Sequence, residues 1–132
     1  MRTPLTIKTF VDRAEFNYPD RIAMIDEPDQ PANPWPALTF GEIAERGRQL
    51  AAGLDKLGVG FGERVAIVSH NAARLQHLLL AVPAHGRIAV PINFRLNKEE
   101  IRYIVDHCGA RVLLIDPEIE EDLASVECEF KY

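Results

Sequence analysis

What this chain has little of narrows its chemistry before any motif is read. It holds two cysteines in 132 residues, Cys108 and Cys128. Neither belongs to a Cys-x-x-Cys pair, so neither a zinc site nor a dense disulfide framework is expected. Cys108 falls at an apolar helical position and reads as a small buried hydrophobe. No apolar run approaches the ~18 residues of a membrane-spanning helix. The opening MRTPLTIKTF has no apolar stretch of signal-peptide length, and the expectation is a soluble cytoplasmic protein. Lys and Arg are scattered, with no basic run, and the net charge is −5. That balance argues against a nucleic-acid surface, which is ordinarily basic. No His-x-x-x-His or His-Glu-x-x-His is present; His77 and His85 lie more than two turns apart on one helix, so local geometry gives them no shared metal.

What is present is a hydrophobic share of 47%, enough for a core and too high for disorder. The length suits one small domain, residues 1–132, or a piece of a larger protein. The chain is organised around residues 62–116. Short runs rich in Val and Ile stand at 65–68, 88–92 and 112–115, without polar alternation. Strands buried on both faces read this way. Helical patterns over about 72–85 and 97–108 separate them. The order strand, helix, strand, helix, strand predicts an α/β fold with a mostly parallel sheet of βαβαβ type flanked by helices.

Around this block the signals are local. Thr6 is a candidate N-cap for a first helix, with Ile7, Phe10, Val11 and Ala14 on its apolar face and Pro19 at its end. Residues 22–25 read as a short strand. Residues 27–37 carry Pro28, Pro31, Pro34 and Pro36, a surface loop that could be a lengthened hairpin connection; Trp35 within it is read as covering the edge of the core. Thr39 and Glu42 form a capping box for the next helix. Its apolar stripe is Ile43, Leu50, Ala51, Leu54 and Leu57, Gly58 stops it, and Glu45, Arg46, Arg48, Gln49, Asp55 and Lys56 face water. Asn97 and Glu100 repeat the capping signal ahead of Ile101, Ile104, Val105 and Cys108, and Gly109 closes that helix. Pro117 suits a first helical position. The acidic turn after it leads into ECEFKY, which reads as the beginning of a strand.

No catalytic set is visible in the residues themselves. Gly58, Gly60 and Gly62 make a G-x-G-x-G run, but it follows a helix and opens a strand, the inverse of a dinucleotide fingerprint. It is read as a helix cap plus a turn. His70 follows a strand C-terminus, where ligands gather in open parallel sheets; it also reads as a plain turn residue. Ser69 lacks a G-x-S-x-G elbow, so a Ser-His-Asp triad is not expected. Asp116 and the carboxylates at 118–122 read as a solvated acidic turn.

The chain resembles the N-terminal part of the AMP-forming acyl-CoA synthetases, members of the adenylate-forming superfamily. The likeness is carried by YPDRIAMID at 18–26, LTFGEIAERGRQLAAGLDKLGVGFGERVAIVSHN at 38–71 and HGRIAVPINFRLNKEEIRYIVDHCGARVLLID at 85–116. Pro83 and Arg87 depart from the family pattern, since small or apolar residues are usual there. The family's Ser/Thr/Gly-rich phosphate loop is absent from this stretch. The resemblance implies an incomplete N-terminal subdomain of the synthetase fold, from an enzyme that activates a medium- or long-chain fatty acid with ATP and Mg and passes the acyl group to CoA. It implies no catalytic residue within 1–132. None of ATP, Mg or CoA is expected to bind this piece, which should be inactive alone and self-associate. Arg95, in the N-F-R-L run, matches an arginine that contacts the phosphate end of CoA in some members; pairing with Glu99 or Glu100 is the alternative. The other readings are a non-catalytic protein-interaction module that keeps the same fold and, lacking its phosphate loop, a free-standing nucleotide-binding domain.

Overall fold

The computed structural model describes residues 5–30 and 33–132; Pro31 and Ala32, inside the expected proline-rich loop, lie outside them. The elements in chain order are α1 (Ile7–Asn17), β1 (Ile22–Met24), β2 (Leu38–Thr39), α2 (Phe40–Lys56), β3 (Arg64–Val68), α3 (Ala73–Ala84), β4 (Ile88–Ile92), α4 (Lys98–Cys108), β5 (Val112–Ile115), a short 3₁₀ turn (Pro117–Ile119) and β6 (Phe130–Lys131). β1 and β2 pair antiparallel, so the 27–37 segment is a long hairpin connection. The main sheet runs β4-β3-β5-β6, and every pairing in it is parallel.

Both capping boxes form. The Glu42 N–H donates to Thr39 Oγ1 at 3.2 Å while Glu42 Oε2 accepts from the Thr39 N–H at 2.8 Å. Asn97 and Glu100 exchange the same pair of bonds at 2.9 and 3.0 Å. Each box satisfies two N–H groups that the first turn of a helix leaves unpaired. α3 has no such residue at its start. Its first N–H, on Ala73, donates instead to Asp26 Oδ1 at 2.9 Å, from the far end of β1.

The three apolar runs explain themselves in the packing. Along β3, Val65 and Ile67 enter one core with Leu54, Val59, Val82 and Val112, against which Leu75, Leu78 and Leu79 of α3 pack. Ala66 and Val68 enter the other, with Ile92, Ile101, Val105 and Leu113. α2 and α3 therefore cover one face of the sheet and α4 the other. A strand between two apolar layers has no polar side, which is why its sequence does not alternate. β4 departs from that expectation: Ile88 is 49% exposed and Pro91 is also exposed. It is the sheet's edge strand, and a proline lacking its N–H is tolerated where no further strand needs the donor.

Other expectations are corrected by the packing. α1 buries none of its residues. It lies against α2 and α3 over an apolar cavity of about 260 Å³ lined by Phe10, Val11, Met24, Phe40, Ile43 and Leu80, among others, and Phe10 remains 62% exposed. Cys108 is half-buried rather than buried. Arg87 is buried without being unpaired. Its guanidinium donates to Val59 O at 2.7 and 3.1 Å and to His85 O at 2.8 Å, and it pairs with Asp55. α3 runs through Pro83 to Ala84. The missing N–H of Pro83 deprives only the carbonyl four residues before it of its helical donor, and the helix ends one residue later, so little of the ladder is lost.

Candidate functional site

The glycine run is structural. Gly58 and Gly62 have φ of +69° and +75°, a region that only glycine enters freely, and the Gly60 N–H donates to the Glu63 carboxylate. The backbone donor that a phosphate would need is already taken by a side chain of the same turn.

The polar groups gather at the C-terminal edge of the parallel sheet. Neighbouring strands β3 and β5 send their following chain in opposite directions, β3 toward β4 and β5 toward β6. Such a switch point leaves a crevice beyond the strand ends, the usual place for ligands in open α/β sheets. Ser69 and His70 follow β3, Phe94 and Arg95 follow β4, and Asp116 follows β5. Ser69 Oγ donates to Asp116 Oδ2, 2.9 Å away, and also lies 3.0 Å from His70 O. His70 Nε2 stands 3.0 Å from Glu118 Oε2, and its ring packs on Phe94 with centroids 4.1 Å apart. Arg74, at the start of α3, brings Nη1 to 4.0 Å from Asp116 Oδ1.

Asp116 is therefore not part of a solvated turn. It is 2% exposed, its side chain accepts the Glu118 N–H at the start of the 3₁₀ turn, and Ser69 serves its other oxygen. A buried carboxylate needs such donors, because leaving its oxygens unpaired away from water is costly. Ser69 and Asp116 are 47 residues apart in sequence, so no local pattern announced the pair. The only signal available was an aspartate placed immediately after an apolar run. His70 meets Glu118 and Phe94 rather than the Ser69 hydroxyl, so no imidazole addresses that serine and no Ser-His-Asp triad forms.

Arg95 is exposed. Its N–H donates to Asn93 Oδ1 at 3.0 Å, and its guanidinium lies 5.5 Å from the Phe94 ring centroid. Glu100 is held in its own capping box, and among the described residues no carboxylate pairs with the Arg95 guanidinium. The expected alternative partners, Glu99 and Glu100, thus leave it free. Among the described residues no group of three or more His, Cys, Asp or Glu could hold a metal ion, and no helix is long and apolar enough to cross a membrane.

Residues 11–131 match the family model of the AMP-binding enzymes. The chain is 39% identical over 93 residues to a long-chain-fatty-acid–CoA ligase of Thermus thermophilus, a match covering 70% of this chain and 17% of the relative. It is 38% identical over 90 residues to a feruloyl-CoA synthase of Amycolatopsis, covering 68% and 18%. In structure it superposes on a long-chain-fatty-acid–CoA ligase of Archaeoglobus fulgidus with a TM-score of 0.85 at 24% identity, covering all of this chain and 28% of that one. The chain belongs to the AMP-binding enzyme family, in its acyl-CoA ligase branch, and corresponds to the N-terminal part of those ligases. It spans less than a fifth of the length of these two curated relatives.

Proposed function

We propose that this chain is the N-terminal segment of an enzyme that activates a medium- or long-chain fatty acid with ATP, in the presence of Mg²⁺, and transfers the acyl group to CoA. The observation that carries the reading beyond the family is the free guanidinium of Arg95 at the C-terminal edge of the sheet. An always-charged, forked donor without a carboxylate partner suits a phosphate. The fatty-acid part is supported by the Thermus relative, with the Amycolatopsis feruloyl relative at nearly equal identity. The deciding experiment is CoA loading by the whole enzyme with fatty acids set against ferulic and benzoic acid. A preference for the aromatic acids would overturn the fatty-acid assignment.

The residues in hand do not fit ATP or Mg²⁺. The Gly60 N–H is occupied by Glu63, and the described residues offer no metal cluster. No step of adenylation is assigned to them. Accordingly, the 132-residue chain should show no fatty-acid-dependent ATP–pyrophosphate exchange. Exchange that survives a mock-purification control would sink this.

The fit to CoA rests on Arg95 alone. In the whole enzyme, Arg95→Ala should raise the KM for CoA about ten- to hundredfold, the equivalent of one charge-assisted hydrogen bond. The adenylation half-reaction should stay near normal. Unchanged CoA kinetics would return Arg95 to the role of a solvated surface cation.

The isolated chain is expected to self-associate. Phe16 and Phe61 are 86% and 92% exposed, and β4 offers an open edge, the kind of surface through which chains pair. The expected strand at the end of the 127–132 segment forms as β6 and pairs with β5 of its own chain. Sedimentation across a concentration series is the check. A monomer at high concentration, with no binding of a hydrophobic dye, would favour the autonomous interaction module.

A further inference from the structure

The connection between β1 and β2 is pinned to α3 by a small set of contacts that converge on one histidine. Asp26 accepts from the Ala73 N–H at 2.9 Å and the Trp35 N–H at 3.0 Å, and from the Gln30 amide. Arg74 donates to Asn33 O. Trp35 then packs against the apolar cluster of Met24, Leu38, Ile43 and Ala73. One turn beyond Ala73 on α3, His77 lies 5.7 Å from the Trp35 ring, centroid to centroid. His77 is only 4% exposed, and its Nδ1 has no hydrogen-bond partner. Arg46 of α2 sits over the same tryptophan at 4.8 Å.

We propose that His77 is an acid-sensitive latch for the Trp35 end of the β1–β2 connection: protonation puts an unpaired cation against the tilted Trp35 ring and beside Arg46, and residues 33–37 release from α3 while the parallel sheet stays folded. The charges around it point one way. From α2 comes Arg46, a cation. From the loop comes the uncharged Trp35 ring, with the apolar Met24 and Leu38 of β1 and β2 packed against that tryptophan. On α3 itself, Arg74 is a further cation. The Asp26 carboxylate is already committed to Ala73, Trp35 and Gln30. Lys8 and Asp12 of α1 act on His85, farther along α3, and not on His77.

Desolvation, and then the charge of Arg46, pushes the His77 pKa down to about 4. A histidine whose closed-state value lies below its free value of ~6.5 holds its contribution fully above pH ~6.5 and loses it as pH falls toward about 4. Relative to neutral pH, the equilibrium for opening should shift by ~150-fold toward the open loop at pH 4, approaching ~300-fold only at lower pH. Asp26 does not compete in this range. Desolvation raises its pKa, but the backbone donors Ala73 and Trp35, the Gln30 amide and the Arg74 charge outweigh this and hold it below the usual carboxylate range.

Trp35 is the single tryptophan, so fluorescence reads the latch directly. The test follows Trp35 emission and its quenching by acrylamide from pH 7.5 to pH 4 on the 132-residue chain, with far-UV circular dichroism in parallel. The expected result is a rise in quencher access between pH ~6.5 and ~4 with unchanged dichroism, abolished in His77→Gln and in His77→Phe. A transition that persists in either folded variant overturns the proposal, as does quencher access that rises only when dichroism is lost. Should neither variant fold, NMR titration of the His77 ring in the parent chain decides. A value near or above the free one refutes the latch; a clearly lowered value, with the quencher result, upholds it.

Discussion

Leu113→Ala is expected to destabilise the chain by about 2–5 kcal/mol, the range for deleting a buried leucine side chain into a cavity. Leu113 is fully buried in β5, between β3 and β6, in contact with the cluster that includes Ala66, Val68, Ile101 and Val105. Neighbours on both sides are fixed by parallel ladders, so the site has little freedom to collapse and the cost should lie toward the upper end. Ile88→Ala, on the half-exposed edge strand, should cost less than about 1 kcal/mol by the same reasoning. Leu79 belongs between the two, since it is half-buried and lines a cavity with Ile25 and Leu75. Denaturant midpoints at one fixed protein concentration compare the variants; the fixed concentration matters because association would itself add stability. Equal losses for Leu113 and Ile88 would mean that the core is not centred on β3 and β5.

Ser69→Ala is expected to cost about 1.5–3 kcal/mol, and Asp116→Asn less than about 1. The asymmetry follows from which group is left stranded. Removing the Ser69 hydroxyl leaves a buried carboxylate whose remaining contacts are the Glu118 N–H at 3.4 Å and Arg74 at 4.0 Å. Neither replaces a 2.9 Å hydrogen bond. Converting Asp116 to asparagine removes the buried charge yet keeps an oxygen for Ser69. Arg74, on its side, still holds Asn33 O. Urea titrations of both variants measure the difference. A larger loss for Asp116→Asn would show that attraction to Arg74, not the Ser69 hydroxyl, holds the crevice together.

Much of the fold was legible in the residues because it is set by short-range rules. The capping boxes at Thr39 and Asn97 are built from residues three apart. Gly58 and Gly109 close helices through backbone angles of their own. The non-alternating runs at β3 and β5 reported two buried faces, and the long crossovers forced parallel pairing. The helical phase of α1 was read correctly, but its depth was not. An apolar stripe shows which face turns inward, and nothing in it states how closely a partner approaches.

The site belongs to the tertiary structure. Asp26 caps α3 from 47 residues away, and Ser69 meets Asp116 across the same separation. His77 is isolated in a shell drawn from α2, α3 and the loop. Each of these depends on which strands become neighbours, and the order β4-β3-β5-β6 is not written in any local window. The sequence by itself determined the elements, their parallel sense and the family, because periodicity, capping and motif order act within one element or along the chain. Only the packing decided which polar side chains are buried, which are paired, and which, like Arg95, are left free, because burial and pairing are relations between elements distant in sequence.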